Sequence, residues 1–262
     1  ARSQKTAAPA PARLLQPATR VKTYTSHLSV RTIVAGLLLG LAVAPHEAAA
    51  TIAFVKNVGT NGITGGTSSI AVTVPAGGVA AGNVLIVTLA IDPSSGAVAA
   101  TDSGGNTYTL LADVTNGSGT TGVRTVALAA EVGTALLAGD LIAVTHPTVS
   151  DSPVSVSEFP GLVGAVADQT STATGTGTAS SSGTTPSTSQ ANELLVGVTG
   201  IETRGETFTP GAGFTALASA PSGPTGPPTS SVTIRPAYQI VSATGGYAAT
   251  GTLQSSRRWG AP

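Results

Sequence analysis

Cysteine and methionine are absent from this 262-residue sequence, and charged and aromatic residues make up only 9% and 3% of it. Without cysteine the chain is not one of the small secreted domains held by disulfides, so its fold has to rest on packing. With few aromatics, Val, Ile, Leu and Ala must build the core, and such cores suit flat sheets better than deep pockets. Because position 1 is not methionine either, we expect a processed product or a fragment of a longer reading frame.

The first fifty residues have the order typical of a secretory signal. Six basic residues and no acidic one precede an apolar run from Ile33 to Ala44, which is short for a membrane-spanning helix. The small residues Ala48 to Ala50 follow, and they fit the subsites of a signal peptidase. We predict a leader with a signal-like helix over residues 1–50, cleavage after Ala50, and a secreted or cell-surface location. The alternative is a leader that is retained as a membrane anchor.

Residues 51–262 carry six basic against eleven acidic residues, a net charge of −5. A sparse and weakly acidic surface disfavours nucleic acid, which requires basic stripes against its phosphates. It equally disfavours anionic membrane surfaces. We therefore expect other protein chains or cell-surface glycans as partners, no nucleic acid, and no membrane unless the leader is retained.

Apolar and polar residues alternate repeatedly after residue 50. Ile70, Val72 and Val74 share one face of a half-buried strand, and the nearly continuous apolar run Val84–Ile91 predicts a central strand covered on both faces. Turn signals separate the segments, and no helical period occurs, so we predict one antiparallel β-sandwich over 51–262, either jelly-roll or Ig-like. The other predicted strands are Thr51–Val58, Thr107–Leu111, Val123–Glu131, Leu141–Thr145, Val154–Phe159, Leu194–Ile201, Val232–Val241 and Tyr247–Leu253.

Two stretches break this pattern. Thr170–Gln190 is nearly pure Ser, Thr, Gly and Ala, and Ser219–Ser230 is rich in Pro and Gly. Both lack apolar side chains whose burial would offset the entropy of ordering, so we predict long surface loops or an extended edge.

Several motifs carry a resemblance to a known family. They are Asp102–Leu110, Ser157–Leu162, Ala191–Val198 and Ala237–Val241, followed by Gly245–Tyr247 and Trp259. In this order they resemble an uncharacterised β-sandwich module of bacterial secreted, surface and phage-associated proteins, over most of residues 51–262. The resemblance implies a structural or adhesive role. In that family an apolar strand follows the tryptophan, so we expect either truncation or an open edge strand that pairs with another chain.

The residues give little support to nucleophilic catalysis. His146 is the single histidine after residue 50, and no G-x-S-x-G motif occurs. A triad of His146 with Asp151 and a serine stays open, because a triad is defined by geometry. The preferred interpretation is a solvated turn histidine beside Pro147.

Glu158 is the carboxylate with the most informative setting. Period-2 alternation places it on the inward face with Val154 and Val156. We predict a structural buried carboxylate that binds backbone N–H groups, with a general acid or metal ligand as the alternative. A glycosidase would need a second carboxylate, for which Glu193, Glu202 and Glu206 are available.

Asp92, Asp102 and Asn106 supply oxygen atoms around a Gly-rich turn, which a Ca²⁺ ion could use. No other cofactor is expected. The spacing differs from the EF-hand loop, and Asp and Asn beside Gly-Gly are also ordinary turn residues.

Tyr247 and Trp259 are the candidate ligand-binding aromatics, because sugar sites use exposed aromatic platforms. Tyr238 shares the face of Val232 and Ile234, which indicates a core position. We predict a non-catalytic extracellular structural or adhesive β-sandwich module, not an enzyme, that associates through an open edge strand. The alternative is a carbohydrate-binding accessory module of a secreted enzyme, and a hydrolase using Glu158 ranks third.

Overall fold

The computed structural model describes residues 51–262, which form two antiparallel β-sheets and no α-helix. The all-β class predicted from the alternation is therefore confirmed. The predicted signal-like helix falls on residues 1–50 and lies outside the described residues. Over residues 51–262 the structure contains no helix with the length and apolar character needed to cross a membrane.

The chain runs through thirteen strands in the described part. They are β1 (Lys56–Thr73), β2 (Val84–Ile91), β3 (Ala99–Asp102), β4 (Thr109–Ser118), β5 (Thr121–Glu131), β6 (Leu141–Phe159), β7 (Ala173–Ser181), β8 (Asn192–Glu202), β9 (Phe208–Pro210), β10 (Thr215–Ala216), β11 (Ala220–Pro221), β12 (Val232–Ser242) and β13 (Thr250–Ala261). A single 3₁₀ turn, Pro228–Ser230, precedes β12.

The first sheet has the order β1-β6-β2-β5-β4, with β3 paired to β6. β1 and β6 are long, and both are irregular in the middle, where the register slips around Gly65 and Gly66 of β1 and Pro147 of β6. Gly65 and Gly66 have φ angles of +117° and +52°, and Pro147 has no N–H to donate, so the ladder is interrupted there. Because β-bulges bend the strands that carry them, the sheet bends at this irregularity.

The bend encloses the main apolar core. Ile142 and Val144 from the first half of β6 pack in one cluster with Val87 of β2 and Leu128 of β5. The opposite face of β2 contributes to other clusters, so all eight of its residues are buried. The prediction that Val84–Ile91 is a strand covered on both faces is confirmed.

The second sheet has the order β10-β12-β8-β13-β7, with β11 beside β12 and β9 beside β13. It faces the first sheet, as in a β-sandwich, and two glycines let the layers approach closely. A Cβ atom on Gly200 would overlap Thr125 Oγ1, and one on Gly260 would stand only 3.0 Å from the same oxygen. That hydroxyl donates a hydrogen bond to the Gly260 carbonyl at 3.0 Å.

The second sheet is split along one side of β8. β8 pairs with β12 from Asn192 to Glu202, but it pairs with β13 only at Gly200 and Ile201. The first half of β8 therefore diverges from β13 and β7, and an opening forms that leads into the space between the sheets.

Several strand boundaries differ from the sequence-based ones. The two predicted strands Leu141–Thr145 and Val154–Phe159 are parts of the single strand β6, because the bend interrupts the alternation without ending the pairing. Thr170–Gln190 contains the edge strand β7, which agrees with the extended edge, one of the two interpretations offered for that stretch. The first strand begins at Lys56, five residues after its predicted start.

Candidate functional site

Glu158 is buried, with 2% of its surface exposed, at the end of β6. Its Oε1 accepts hydrogen bonds from the backbone N–H of Ala80 at 3.0 Å and from Asn83 Nδ2 at 2.7 Å. Its Oε2 lies 3.5 Å from Lys56 Nζ, and Lys56 also donates to the Gly78 carbonyl. The carboxylate thus holds the segment between β1 and β2 against the sheet, and this position agrees with the structural interpretation.

Asp92 ends β2 and is 3% exposed. Its Oδ2 accepts the backbone N–H groups of Ser150 and Asp151 at 3.0 and 3.1 Å, just past the bend of β6, while Oδ1 has no hydrogen-bond partner. Burial, and then the charge of Asp151 and more weakly that of Glu202, raise the pKa of Asp92 to about 6, and the two backbone hydrogen bonds only partly oppose this. Asp92 is a buried acid in a structural position.

Asp102 lies elsewhere, at the end of β3. Its carboxylate accepts four hydrogen bonds, from the N–H groups of Gly104 and Asn106, from Asn106 Nδ2 and from Tyr108 Oη. These donors occupy the sites that a cation would use.

The three residues predicted as calcium ligands do not form one site. Asp102 pairs in register with Ile142, whereas Asp92 accepts the N–H of Ser150, eight residues further along β6. Asn106 lies beside Asp102 only. Over residues 51–262 no group of three or more His, Asp or Glu side chains is placed to hold a metal ion.

His146 lies in the irregular part of β6 and is 5% exposed, so it is not the solvated turn residue expected from the sequence. Nδ1 is 2.8 Å from the carbonyl of Pro147, which makes Nδ1 the donor and Nε2 a buried acceptor without a partner. Burial lowers the pKa of His146. Asp151 instead accepts a hydrogen bond from Thr64 Oγ1 at 3.1 Å, so these two residues are not joined as in a triad.

Trp259 belongs to β13 and is 8% exposed. Its indole packs with Ile201, Leu253 and Phe208 and covers Gly175, where a Cβ atom would overlap the indole ring. The indole N–H is buried and has no partner. This ring therefore offers no exposed platform for a sugar.

Tyr247 is half-buried before β13, and its hydroxyl donates to the carbonyl of Ala243 at 2.5 Å. Unlike Trp259, it lines a large opening in the surface. The two aromatics predicted to bind ligands are thus in different environments. Tyr238 packs edge-on against Phe159 with ring centroids 5.3 Å apart, within an apolar cluster, as its alternation indicates.

The opening is a groove of about 780 Å³ that follows the split in the second sheet, and we call it the intersheet groove. Inward-facing apolar side chains of the two sheets form its floor, and the segment 161–171 forms one rim. Its apolar lining includes Ile86, Ala127, Ala129, Leu194 and Val196. Volumes of this size are typical of ligand sites.

Two carboxylates, Asp168 and Glu193, are the only charged side chains that line the intersheet groove in the described chain. Asp168 is exposed at the rim, and its Oδ2 accepts the backbone N–H of Ser189 at 2.7 Å. The hydrogen bonds of Ser189 lower the pKa of Asp168. Glu193 is 8% exposed, and its Oε1 has no hydrogen-bond partner. Burial, then the charge of Asp168 and a side-chain hydrogen bond to Asp168, raise the pKa of Glu193, and a backbone hydrogen bond with Gln190 opposes this.

The other two carboxylates weighed as partners for Glu158 are held by arginines. Glu202 Oε2 lies 3.4 Å from Arg258 Nε, and Glu206 Oε2 lies 3.3 Å from Arg257 Nε. Glu206 Oε1 also accepts the backbone N–H of Ser255 at 2.5 Å. Neither residue contacts Glu158 in the described residues.

The intersheet groove is a feature that the sequence does not predict. The sequence shows Glu193 as a carboxylate, and the alternation places it on the strand face opposite Leu194. No residue pattern around it indicates a cavity. The groove depends on where β8 leaves β13, and no local pattern encodes that divergence. The one available signal is the apolar run Leu162–Ala167, in which Val163 and Val166 are exposed, since a contiguous exposed apolar patch often marks a binding groove.

Comparisons with known proteins identify no relative of this chain. No protein-family model, curated protein or solved structure matches the chain.

Proposed function

We propose that this protein is a non-catalytic, extracellular structural or adhesive module that associates with other copies of itself through the free edge of β7. The observation that carries the proposal is the composition of this edge strand. β7 reads Ala-Thr-Gly-Thr-Gly-Thr-Ala-Ser-Ser and has β13 as its partner on one side. The expected sandwich type, jelly-roll or Ig-like, is part of the same proposal.

The β7 edge lacks two of the features that usually block edge pairing. Proteins protect edge strands with Lys, Pro, bulges or a covering segment, and β7 contains neither a charged residue nor a proline, although its register with β13 shifts between Gly177 and Ala179. Asn116 Nδ2 donates to the Gly175 carbonyl at 2.7 Å, so one end of the strand is occupied. The stretch from Thr176 to Ser181 is left for backbone pairing, with the side chains of Thr176 and Thr178 exposed.

The state of the carboxylates supports a non-catalytic role. Glu158, Asp102 and Glu206 each bind backbone N–H groups or a basic side chain, which is what structural carboxylates do. The resemblance to secreted and surface β-sandwich modules supports the extracellular, adhesive part of the proposal.

The experiment is a measurement of molar mass by light scattering on the full chain over a wide concentration range. We expect the mass to rise with concentration, and the double variant Thr176→Lys/Thr178→Lys to stay monomeric because charges on an edge oppose strand pairing. The matched control is Thr134→Lys, an exposed threonine in the loop between β5 and β6. A wild-type protein that is monomeric throughout, or a double variant that associates as the wild type does, would contradict the proposal.

The carbohydrate-binding alternative has one favourable observation, the position of Tyr247 in the lining of the intersheet groove. Its second expected aromatic, Trp259, is buried. Binding on a glycan array that is lost in Tyr247→Ala and kept in Trp259→Phe would favour this alternative over self-association.

A further inference from the structure

We propose that the intersheet groove binds a cationic amphiphile, a molecule with an alkyl chain that ends in an ammonium group. The alkyl chain lies on the apolar floor and the ammonium group binds between Glu193 and Asp168. This site is independent of the β7 edge, so either proposal can fail without the other.

The floor of the groove favours an apolar chain. Ile86 and Ala129 of the first sheet pack in one cluster with Leu194 and Val196 of the second sheet, and all four line the groove. Val163 and Val166 stand on the rim with 99% and 75% of their surfaces exposed. Water in contact with these groups is released when an alkyl chain enters, which favours the binding of an apolar chain.

The charge of the groove selects the head group. Asp168 and Glu193 line it, and no Lys or Arg of the described residues does. An anionic head group would face two carboxylates, whereas an ammonium group has three N–H donors and matches them in charge. Electrostatic complementarity of this kind discriminates between ligands of opposite sign.

Glu193 Oε1 gives an independent indication of a ligand. The residue is 8% exposed, lines the groove, and leaves this oxygen without a donor. A buried acceptor without a partner is destabilising, and a bound ammonium group would supply the missing donor.

The test is calorimetric titration of the full chain at pH 7 with decylammonium chloride below its micelle concentration. Decanoate has a tail of the same length and the opposite charge, and butylammonium has the same head group and a short tail. We expect decylammonium to bind once per chain, and decanoate and butylammonium to bind at least about tenfold more weakly.

Two variants identify the groove as the site. Glu193→Gln keeps the shape and should weaken decylammonium binding about tenfold, while Asp140→Asn, which removes a charge outside the groove, should bind as the wild type does. Ala129→Leu fills the floor and should weaken binding in a protein whose circular dichroism is unchanged. Equal affinity for decylammonium and decanoate, no binding of decylammonium, or a Glu193→Gln affinity within about twofold of wild type would overturn the proposal.

Discussion

Asp92, at the end of β2, accepts through Oδ2 the backbone N–H of Asp151 in the middle of β6, at 3.1 Å. This contact fastens the central strand to the strand that bends over it. It also places a carboxylate in an environment that disfavours its charge, because Asp92 is buried and lies near the carboxylate of Asp151. The contact that holds β6 against β2 therefore involves a carboxyl group, that of Asp92, whose charge changes near pH 6.

The first prediction concerns the pH dependence of stability. Folding raises the pKa of Asp92 from 3.8 to about 6, so the folded state binds the proton more tightly than the unfolded state. The resulting stabilisation is complete below pH 3.8 and is lost as the pH rises through 6. In Asp92→Asn this loss is absent, and we expect the variant to be about 1–2 kcal/mol more stable than the wild type at pH 7.5.

Urea unfolding of both proteins between pH 4 and pH 8 measures this effect. The difference in unfolding free energy between Asp92→Asn and the wild type should increase through pH 6. Asp140→Asn serves as the control for the loss of one charge. A difference that stays constant with pH would show that Asp92 has an ordinary pKa.

The second prediction concerns Glu158. In Glu158→Gln the acceptor for Ala80 and Asn83 is kept, but the ion pair with Lys56 is lost and an amide group replaces the charged oxygen. Lys56 is 28% exposed, so we expect a moderate loss of about 2 kcal/mol, or about 4–8 °C in melting temperature. Thermal melts followed by circular dichroism test this, and a melt equal to that of the wild type would rule out the structural role.

The third prediction concerns the contact of Trp259 with Gly175. In Gly175→Ala a methyl group would meet the indole ring, and we expect a loss of about 1–3 kcal/mol together with a shift in tryptophan emission. Trp259 is the single tryptophan, so the emission reports on this contact alone. Thr176→Ala, at the exposed neighbouring position, should leave both unchanged. The smaller side chain of Trp259→Leu should make room for the added methyl group, so Gly175→Ala should cost little in the Trp259→Leu background.

The fourth prediction concerns Tyr108. Its hydroxyl donates to Asp102 Oδ2 at 2.9 Å, and burial, followed by that hydrogen bond and the charge of Asp102, raises the pKa of Tyr108 far above its ordinary value. We expect this phenol to stay protonated in the folded protein up to strongly alkaline pH. Ultraviolet titration of the wild type and Tyr108→Phe measures this, and identical tyrosinate absorbance in the two proteins up to the unfolding pH is the expected result. A larger absorbance in the wild type before unfolding would contradict it.

The sequence predicts the strands better than the way they are connected. The strand Val84–Ile91 has the same bounds in the prediction and in the structure, because a continuous apolar run fits a strand that is covered on both faces. β7 is harder to assign, since Thr and Gly alternate there without an apolar face and the strand is ordered by its partner β13. Its hydrogen bonds are made by the backbone, which sequence composition does not display.

The candidate sites show the same limit. The inward position of Glu158 follows from period 2, but the buried state of His146 and Trp259 does not, because a bend and a neighbouring glycine determine them. The prediction of one calcium site rests only on the closeness in sequence of Asp92, Asp102 and Asn106. In the fold, Asp92 and Asp102 contact β6 at positions eight residues apart, Ser150 and Ile142.

The long pairing of β1 with β6 has a consequence for the time course of folding. Lys56 of β1 is in register with Glu158, which is synthesised 102 residues later. At about 5–20 residues per second, the ribosome completes the partner strand about 5–20 s after β1 has been made. During that interval β1 exposes an unpaired backbone along eighteen residues, and no local contact replaces the missing ladder. Refolding of the isolated chain should likewise be slow, because a long ladder between distant segments has to close a large loop before it gains its contacts.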